Sequence, residues 1–153
     1  MKLKSQRMKP LNRLAEKQEE QSAQVYTRCL ANVRELEKQL QKLYSYRLGY
    51  NQQMIDSSKK GVGSHRLQDT LMFMSNLNKS IEGVLAQIRR QKKVCEEKKQ
   101  LWTAMHSKTK IYSKVTKKYV VKEQIVINKN EQKLVDEFNQ ASFNRKTNSK
   151  HNS

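Results

Sequence analysis

A single glycine-containing interruption at residues 59–64 divides this chain into two long stretches with coiled-coil spacing. Apolar side chains on both sides of it recur at alternating steps of three and four residues, the spacing that buries one seam of a helix against a second helix. Gly61 and Gly63 tolerate a positive φ, and Ser64 is a residue type that caps helix starts. The chain is therefore expected to be all-α, with two long helices forming an antiparallel coiled-coil hairpin.

The predicted seam follows the apolar residues of each helix. In helix 1, about residues 10–56, it runs through Leu11, Leu14, Gln18, Gln21, Val25, Cys29, Val33, Leu36, Leu40, Leu43, Arg47, Tyr50 and Met54. In helix 2, about residues 65–145, it runs through Leu71, Met74, Asn78, Ile81, Leu85, Ile88, Lys92, Cys95 and Trp102. Two successive steps of four at Cys29 indicate a local unwinding of the supercoil. The turn is expected at about residues 57–64.

The two predicted helices differ in length. Antiparallel pairing around the turn leaves helix 2 without a partner beyond about residues 110–112, although apolar side chains continue past that point. An unpaired apolar helix implies a partner, or fraying in its absence. We expect one hairpin domain over residues 1–146 and a disordered polar tail at residues 147–153.

Cys29 and Cys95 have neither the close spacing nor the companion residues of a zinc or redox motif. They are expected to be reduced and packed in the seam, within a helical turn or two of each other. The chain also has no glycine-rich phosphate loop, nucleophile motif or metal-binding helix pattern. We therefore expect no enzymatic activity, no cofactor and no metal ion.

The formal net charge is +18, and twelve of the 32 Lys and Arg residues lie in residues 89–122, against only Glu96 and Glu97. A basic helix can bind phosphates, so a coiled coil that binds nucleic acid remains an alternative. These charges surround the helix, however, and no nucleic-acid-binding motif accompanies them. No nucleic-acid partner is expected.

No apolar run is long enough to span a bilayer, and residues 1–7 lack the apolar region of a secretory signal. A cytoplasmic location without membrane insertion is expected. One further row of helix 2, formed by Phe73, Leu77, Ser80 and Val84, lies beside the predicted seam. It is either a widening of the seam or a docking face for another protein.

Several short segments, in this order and spacing, resemble the FliJ proteins of the bacterial flagellar type III export apparatus. They are residues 14–17, residues 37–40 with Tyr46 and Tyr50, residues 61–66, Leu77, Lys79 and Ile81, residues 97–100, residues 131–133, residues 136–138 and Arg145. The resemblance implies a hairpin similar to the central stalk of rotary ATP synthases. It also implies a non-enzymatic protein that inserts into and activates a hexameric export ATPase, contacts the cytoplasmic domain of the membrane-embedded export gate, and escorts export chaperones.

The resemblance implies two sets of site residues. The expected ATPase-ring contacts are Leu14, Glu16, Lys17, Glu131, Lys133, Asp136, Glu137, Phe138 and Arg145. The expected gate contacts are Phe73, Leu77, Ser80 and Val84, although Ser80 and Val84 differ from the residue types of the family's docking face. The expected location is peripheral, at the inner-membrane base of the export apparatus.

The sequence departs from the family's pattern at Val115, Thr116, Val120 and Val121, whose β-branched side chains disfavour helix. The end of helix 2 is therefore expected to fray until it is bound. The stalk protein of a virulence-type secretion system remains a second alternative, because it would share this architecture. The sequence leaves open whether the free chain is a monomer.

Overall fold

The computed structural model describes residues 3–61 and 63–151, which form two long helices, α1 (Lys4–Lys59) and α2 (Ser64–His151). This confirms the predicted all-α hairpin. At the turn, the Lys60 N–H donates to the carbonyl oxygens of Asp56 and Ser57 at 3.2 and 3.1 Å, and Gly61 takes a φ of 72°. A left-handed glycine directly after the last turn is a common way to end a helix, because it lacks the Cβ that disfavours this conformation. Val62, also in the predicted turn, lies outside the described residues.

Both helices are longer than the sequence indicated. α1 begins at Lys4 and therefore contains Pro10, which cannot donate a hydrogen bond to the carbonyl of Gln6. α2 continues through residues 147–151, where a disordered tail was expected, and residues 152–153 lie outside the described residues. In this last segment the Thr147 hydroxyl donates to the Phe143 carbonyl at 2.9 Å, so a polar side chain is satisfied within the helix.

Contacts divide the chain into two compact units. We call Gln18–Met105 the turn unit, and Met1–Lys17 with His106–Ser153 the terminal unit. Each unit contains a segment of α1 and a segment of α2, and each is described separately below.

The core of the turn unit consists of two clusters of buried side chains. The larger contains Leu40, Met74, Leu77, Ile81 and Ile88, with half-buried apolar residues around it. The smaller contains Cys29, Val33 and Cys95, with Tyr26 and Leu30 packed against it. These clusters line the interface between α1 and α2, as expected for a seam.

The α1 side of this seam follows a different row from the predicted one. It passes through Ser22, Tyr26 and Cys29, and the steps of four and three continue without interruption from there to Met54. Val25 is 40% exposed, whereas the Tyr26 ring stacks on Trp102 with 6.4 Å between centroids. The predicted unwinding at Cys29 is wrong, because it came from assigning Val25 to the seam.

The α2 side of the seam shifts in a similar way. Leu77, Val84 and Gln91 occupy seam positions that the prediction gave to Asn78, Leu85 and Lys92, although Leu85 also contacts the core. The larger aliphatic side chain lies inward at Leu77, and the amide of Asn78 remains exposed. This matters for function because Leu77 was a candidate docking residue.

The seam of the terminal unit is made of smaller and more polar residues. Ala15 is 1% exposed, and the Asn12 side-chain amide donates to the Thr116 hydroxyl at 2.8 Å. Leu11 and Leu14, which were predicted to form the seam here, are 45% and 52% exposed. The alanine allows close approach of the helices, and the amide–hydroxyl pair satisfies its own polar groups.

Within the described ranges, neither helix has a stretch apolar enough to cross a bilayer. Over the same residues, no cluster of three or more His, Cys, Asp or Glu side chains could hold a metal ion.

Candidate functional site

The start of α1 is attached to α2 through Glu123. Its carboxylate accepts hydrogen bonds from the Ser5 N–H at 3.1 Å and from the Ser5 hydroxyl at 2.5 Å. The Lys4 ammonium also lies 5.6 Å from the centroid of the Tyr119 ring. The pairing of the helices thus reaches Glu123, well beyond residues 110–112, where it was expected to end. The start of α1 at Lys4, instead of at about residue 10, accounts for part of the difference.

These contacts also set the ionisation of Glu123. Hydrogen bonds from the Ser5 side chain, then from the Ser5 backbone and, more weakly, from the Lys4 backbone lower the pKa of this carboxyl, and partial desolvation opposes them. The first N–H groups of a helix have no partners within the helix and carry partial positive charge. Since α1 has no acidic residue in its own first turn, Glu123 supplies the negative charge from the other helix.

α2 continues past the start of α1. We call residues 128–151 the α2 extension. Every described side chain in it is exposed except Ser142, which is half-buried. The extension is helical in the structure, as are Val115, Thr116, Val120 and Val121, whose β-branching led us to expect fraying. It presents large apolar groups to solvent, including Leu134 at 65%, Phe138 at 73% and Phe143 at 65% exposure.

Three of the predicted ring contacts lie on one row of this extension. Glu131, Phe138 and Arg145 are spaced by seven residues, and positions seven apart on an α-helix differ by only about 20° in direction. Leu134 lies beside them, one turn from Phe138. We call Glu131, Phe138 and Arg145 the Glu131 row. Lys133 and Glu137 point to other sides of the helix, so the predicted contacts do not form one surface.

A second row lies on the opposite side of the extension. Lys129, Asp136 and Phe143 are also spaced by seven residues, and they are about 160° from the Glu131 row. This second row, the Asp136 row, contains the predicted contact Asp136. Each row has one cation, one carboxylate and one phenylalanine. Substitutions in the Asp136 row can therefore serve as a matched control for the same substitutions in the Glu131 row.

The α1 candidates Leu14, Glu16 and Lys17 are all exposed. The Asn12–Thr116 hydrogen bond fixes the antiparallel register here, so Leu14 lies opposite about residue 114. At 1.5 Å per residue, that position is roughly 25 Å along α2 from Glu131. The structure thus separates the α1 candidates from the α2 candidates.

The four candidate gate contacts belong to different environments. Leu77 is 7% exposed in the main core, and Val84 packs against the same cluster. Phe73 is 45% exposed, with its ring centroid 4.6 Å from that of Tyr50, and Ser80 is exposed. For Leu77 and Val84 the burial favours the alternative of a widened seam. Phe73 and Ser80 are accessible to a partner.

Cys29 and Cys95 are both buried and free, and they lie in one cluster, which confirms their predicted proximity. The Gln91 side-chain amide donates to the Cys29 sulfur at 3.2 Å. Burial, followed by the hydrogen bond and charge interaction with Cys29, raises the pKa of the Cys95 thiol to about 11. A high pKa disfavours the thiolate, so the pair has the properties of a packing element and lacks those of a nucleophile.

The sequence analysis missed Glu123 as a structural contact. It is the only acidic residue between Glu97 and Glu131, and that isolation within a basic segment was the available signal. Its partner could not be assigned, because α1 was expected to begin after Ser5.

Comparison with known proteins gave one match at the family level. The family model described as "Flagellar FliJ protein" matches residues 4–148 of the chain. No curated protein and no solved structure matched it.

Proposed function

This chain belongs to the Flagellar FliJ protein family, and we propose that it is the stalk and coupling component of the flagellar export apparatus. The family consists of non-catalytic components of flagellar protein export, so the chain has a role in that process. The finer proposal is that the α2 extension inserts into a hexameric export ATPase and activates it.

The observation that carries this proposal is the single-helix extension of α2. Residues 128–151 amount to roughly 36 Å of helix without a partner along α1. A lone helix is the thinnest shape that a folded chain can present to the pore of a ring. Its exposed Leu134 and Phe138 also provide apolar area that is otherwise left in water.

We propose that the Glu131 row faces the ring. It combines Phe138 with Glu131 on one side and Arg145 on the other, and Leu134 adds apolar area beside it. Oppositely charged groups at the edge of an apolar contact favour one orientation and fast association. The Asp136 row lacks this addition. No large apolar side chain lies four residues before Phe143, as Leu134 does before Phe138.

The test is binding of the cognate hexameric export ATPase at physiological salt by two triple variants. One is Glu131→Ala, Phe138→Ala, Arg145→Ala, and the other is Lys129→Ala, Asp136→Ala, Phe143→Ala. Each removes one acid, one cation and one phenyl ring from an exposed helix, so both should fold equally well. We expect the first to weaken binding by about tenfold or more, roughly 1.4 kcal/mol, and the second to change it by less than about threefold. The reverse order would move the site to the Asp136 row.

We also propose that the export gate binds the accessible side of Phe73 together with Ser80. Both lie in the turn unit, and their exposure supports this choice within the predicted set. Ser80→Asp leaves the core cluster untouched, so a loss of binding to the cytoplasmic domain of the gate would not reflect unfolding. Unchanged binding in both Ser80→Asp and Phe73→Ala would contradict this assignment.

Chaperone escort and a peripheral position at the inner-membrane base complete the proposed role. Family membership supports both as parts of the proposal, and we assign no residue to them. Binding to a virulence-type secretion ATPase in preference to the flagellar one would support the alternative stalk assignment.

A further inference from the structure

A groove of about 280 Å³ lies in the terminal unit, where α1 begins against α2. Its apolar lining comes from Leu3, Tyr119, Val126 and Ile127. Leu3, Val126 and Ile127 are 46%, 56% and 44% exposed. We propose that this groove binds an amphipathic helix of a partner protein, one with apolar side chains on one face and carboxylates beside them.

The carboxylates are inferred from the charges around the groove. Lys4 and Lys122 line it together with the apolar residues. Glu123 also lies there, but its carboxylate is occupied by the Ser5 hydrogen bonds. The Lys4 ammonium is 5.6 Å from the Tyr119 ring, so it is held at the edge of the apolar surface. Two lysines against one hydrogen-bonded carboxylate leave an excess of positive charge at the groove, which favours an acidic side chain on the partner.

The segments of α1 and α2 around the groove are also predominantly positive. Residues 4–17 and 106–127 contain eleven Lys or Arg residues and only two acids, Glu16 and Glu123. This excess attracts acidic partners over a distance of about one Debye length and raises their association rate. It also opposes a second copy of this chain as the occupant, because every copy carries a net charge of +18.

The size and position of the groove favour a helix over a small molecule. Pockets for small ligands usually have volumes of about 300–1,000 Å³ and enclose most of the ligand, whereas this groove lies open at the surface. Within the described part of the chain, α1 begins at Lys4 with only Leu3 before it, whereas α2 continues past Ile127. A partner helix can lie along α2 from this point and insert side chains spaced by three or four residues.

The experiment uses the full chain and a synthetic fluorescent helical peptide as the probe. The peptide carries leucines at steps of three and four with glutamates flanking them. One control peptide replaces the glutamates with lysines, and another replaces the leucines with serines. Binding is measured by fluorescence anisotropy at physiological salt, and we expect binding only by the first peptide.

Matched variants locate the binding. Lys4→Glu with Lys122→Glu should weaken binding by about tenfold or more, whereas Arg7→Glu with Lys118→Glu, which changes the charge equally outside the groove, should have less than about a threefold effect. Val126→Ser should weaken binding as well. Val121→Ser, at 57% exposure against 56% for Val126, is its control on another face of α2.

Several results would overturn the proposal. Equal losses from both charge variants, or no loss with Val126→Ser, would mean attraction by the basic surface alone. Preferential binding of phosphatidylglycerol vesicles through Lys4, Lys122 and Val126 would assign the groove to a lipid surface. A Val126-dependent dimer in sedimentation would assign it to a second copy. Alanine substitution of Phe138 and Arg145, which lie about three or more turns beyond Ile127, should leave peptide binding unchanged, so this proposal and the ring contact can fail separately.

Discussion

Glu123 in α2 caps the first turn of α1 through Ser5, a residue 118 positions away in the chain. Helix caps usually come from the residue next to the helix start, so this cap is a tertiary contact as well as a local one. It joins the beginning of α1 to α2 at the point where Pro10 has removed one of the nearby backbone hydrogen bonds. Since Ser5 lies in the first turn of α1, this contact marks the end of the described helix pairing, shortly before the α2 extension begins.

Replacing Glu123 with Gln should fray the first turns of α1. The amide keeps an acceptor oxygen but loses the negative charge that favours the helix N-terminus. Amide hydrogen exchange should show reduced protection near Ser5 and unchanged protection near Leu40. Glu82→Gln, at an exposed position of the turn unit, is the control and should leave exchange unchanged near Ser5. Equal exchange at Ser5 in both variants would contradict the cap.

The same contact predicts a dependence on pH. Because the folded state lowers the pKa of Glu123 below its ordinary value of 4.5, the unfolded chain binds the proton more readily. The stabilisation that the Glu123 contact contributes to folding is therefore complete above pH 4.5. It is lost as the pH falls through the lower pKa that Glu123 has in the folded protein. Protection at Ser5 should decline over this acidic range in the wild type. The decline should be smaller in Glu123→Gln.

The seam register of the terminal unit can be tested with two neighbouring residues. Ala15→Leu should destabilise the protein by about 1–3 kcal/mol, because Ala15 is 1% exposed and has no room for a larger side chain. Leu14→Ala should change stability by less than about 0.5 kcal/mol, since Leu14 is 52% exposed. Urea unfolding followed by circular dichroism measures both. The opposite order would restore the seam predicted from the sequence.

Leu77→Ala should cost about 2–5 kcal/mol, because it leaves a cavity in the main core of the turn unit. Phe73→Ala should cost only about 1 kcal/mol, mainly through loss of the Tyr50 ring contact. Thermal unfolding of the two variants gives the comparison. A loss of gate binding in Leu77→Ala should thus be accompanied by a lower melting temperature. If Leu77→Ala left the melting temperature unchanged, Leu77 would be free for docking.

The cysteine pair should react slowly in the folded protein. Raising the pKa of Cys95 from 9.0 to about 11 lowers its thiolate fraction at neutral pH about 100-fold. Modification by a disulfide reagent should be slow without urea and fast with it. Cys29→Ala isolates Cys95 for this measurement. Rapid modification of folded Cys29→Ala would show that Cys95 depends on its partner for protection.

The all-α hairpin could be predicted because the turn glycines and the spacing of the apolar residues are local signals. The pairing of Cys29 with the Cys95 region followed from counting residues outward from the turn. The exact seam could not be predicted at Ala15 and Ser22, because small buried residues carry little hydrophobic signal beside Leu14 and Val25. The start of α1 was missed because its stabilising charge comes from Glu123, and no local pattern reveals a cap from another helix.

The candidate site could be predicted in part. The sequence indicated an unpaired end of helix 2, and the structure retains one, beginning after the Glu123 contact. Grouping Glu131 with Phe138 and Arg145 required only their seven-residue spacing. The sequence left open whether Leu77 is buried, because Leu77 and Asn78 are adjacent and only packing decides which of them points inward.

The most direct test of the proposed stalk function is ATP hydrolysis by the cognate hexameric export ATPase at physiological salt, with and without this protein. The wild-type protein should stimulate hydrolysis, and the variant with alanines at Glu131, Phe138 and Arg145 should lose most of that stimulation. The variant with alanines at Lys129, Asp136 and Phe143 should keep it. No stimulation by folded wild-type protein at any salt concentration would contradict the stalk assignment.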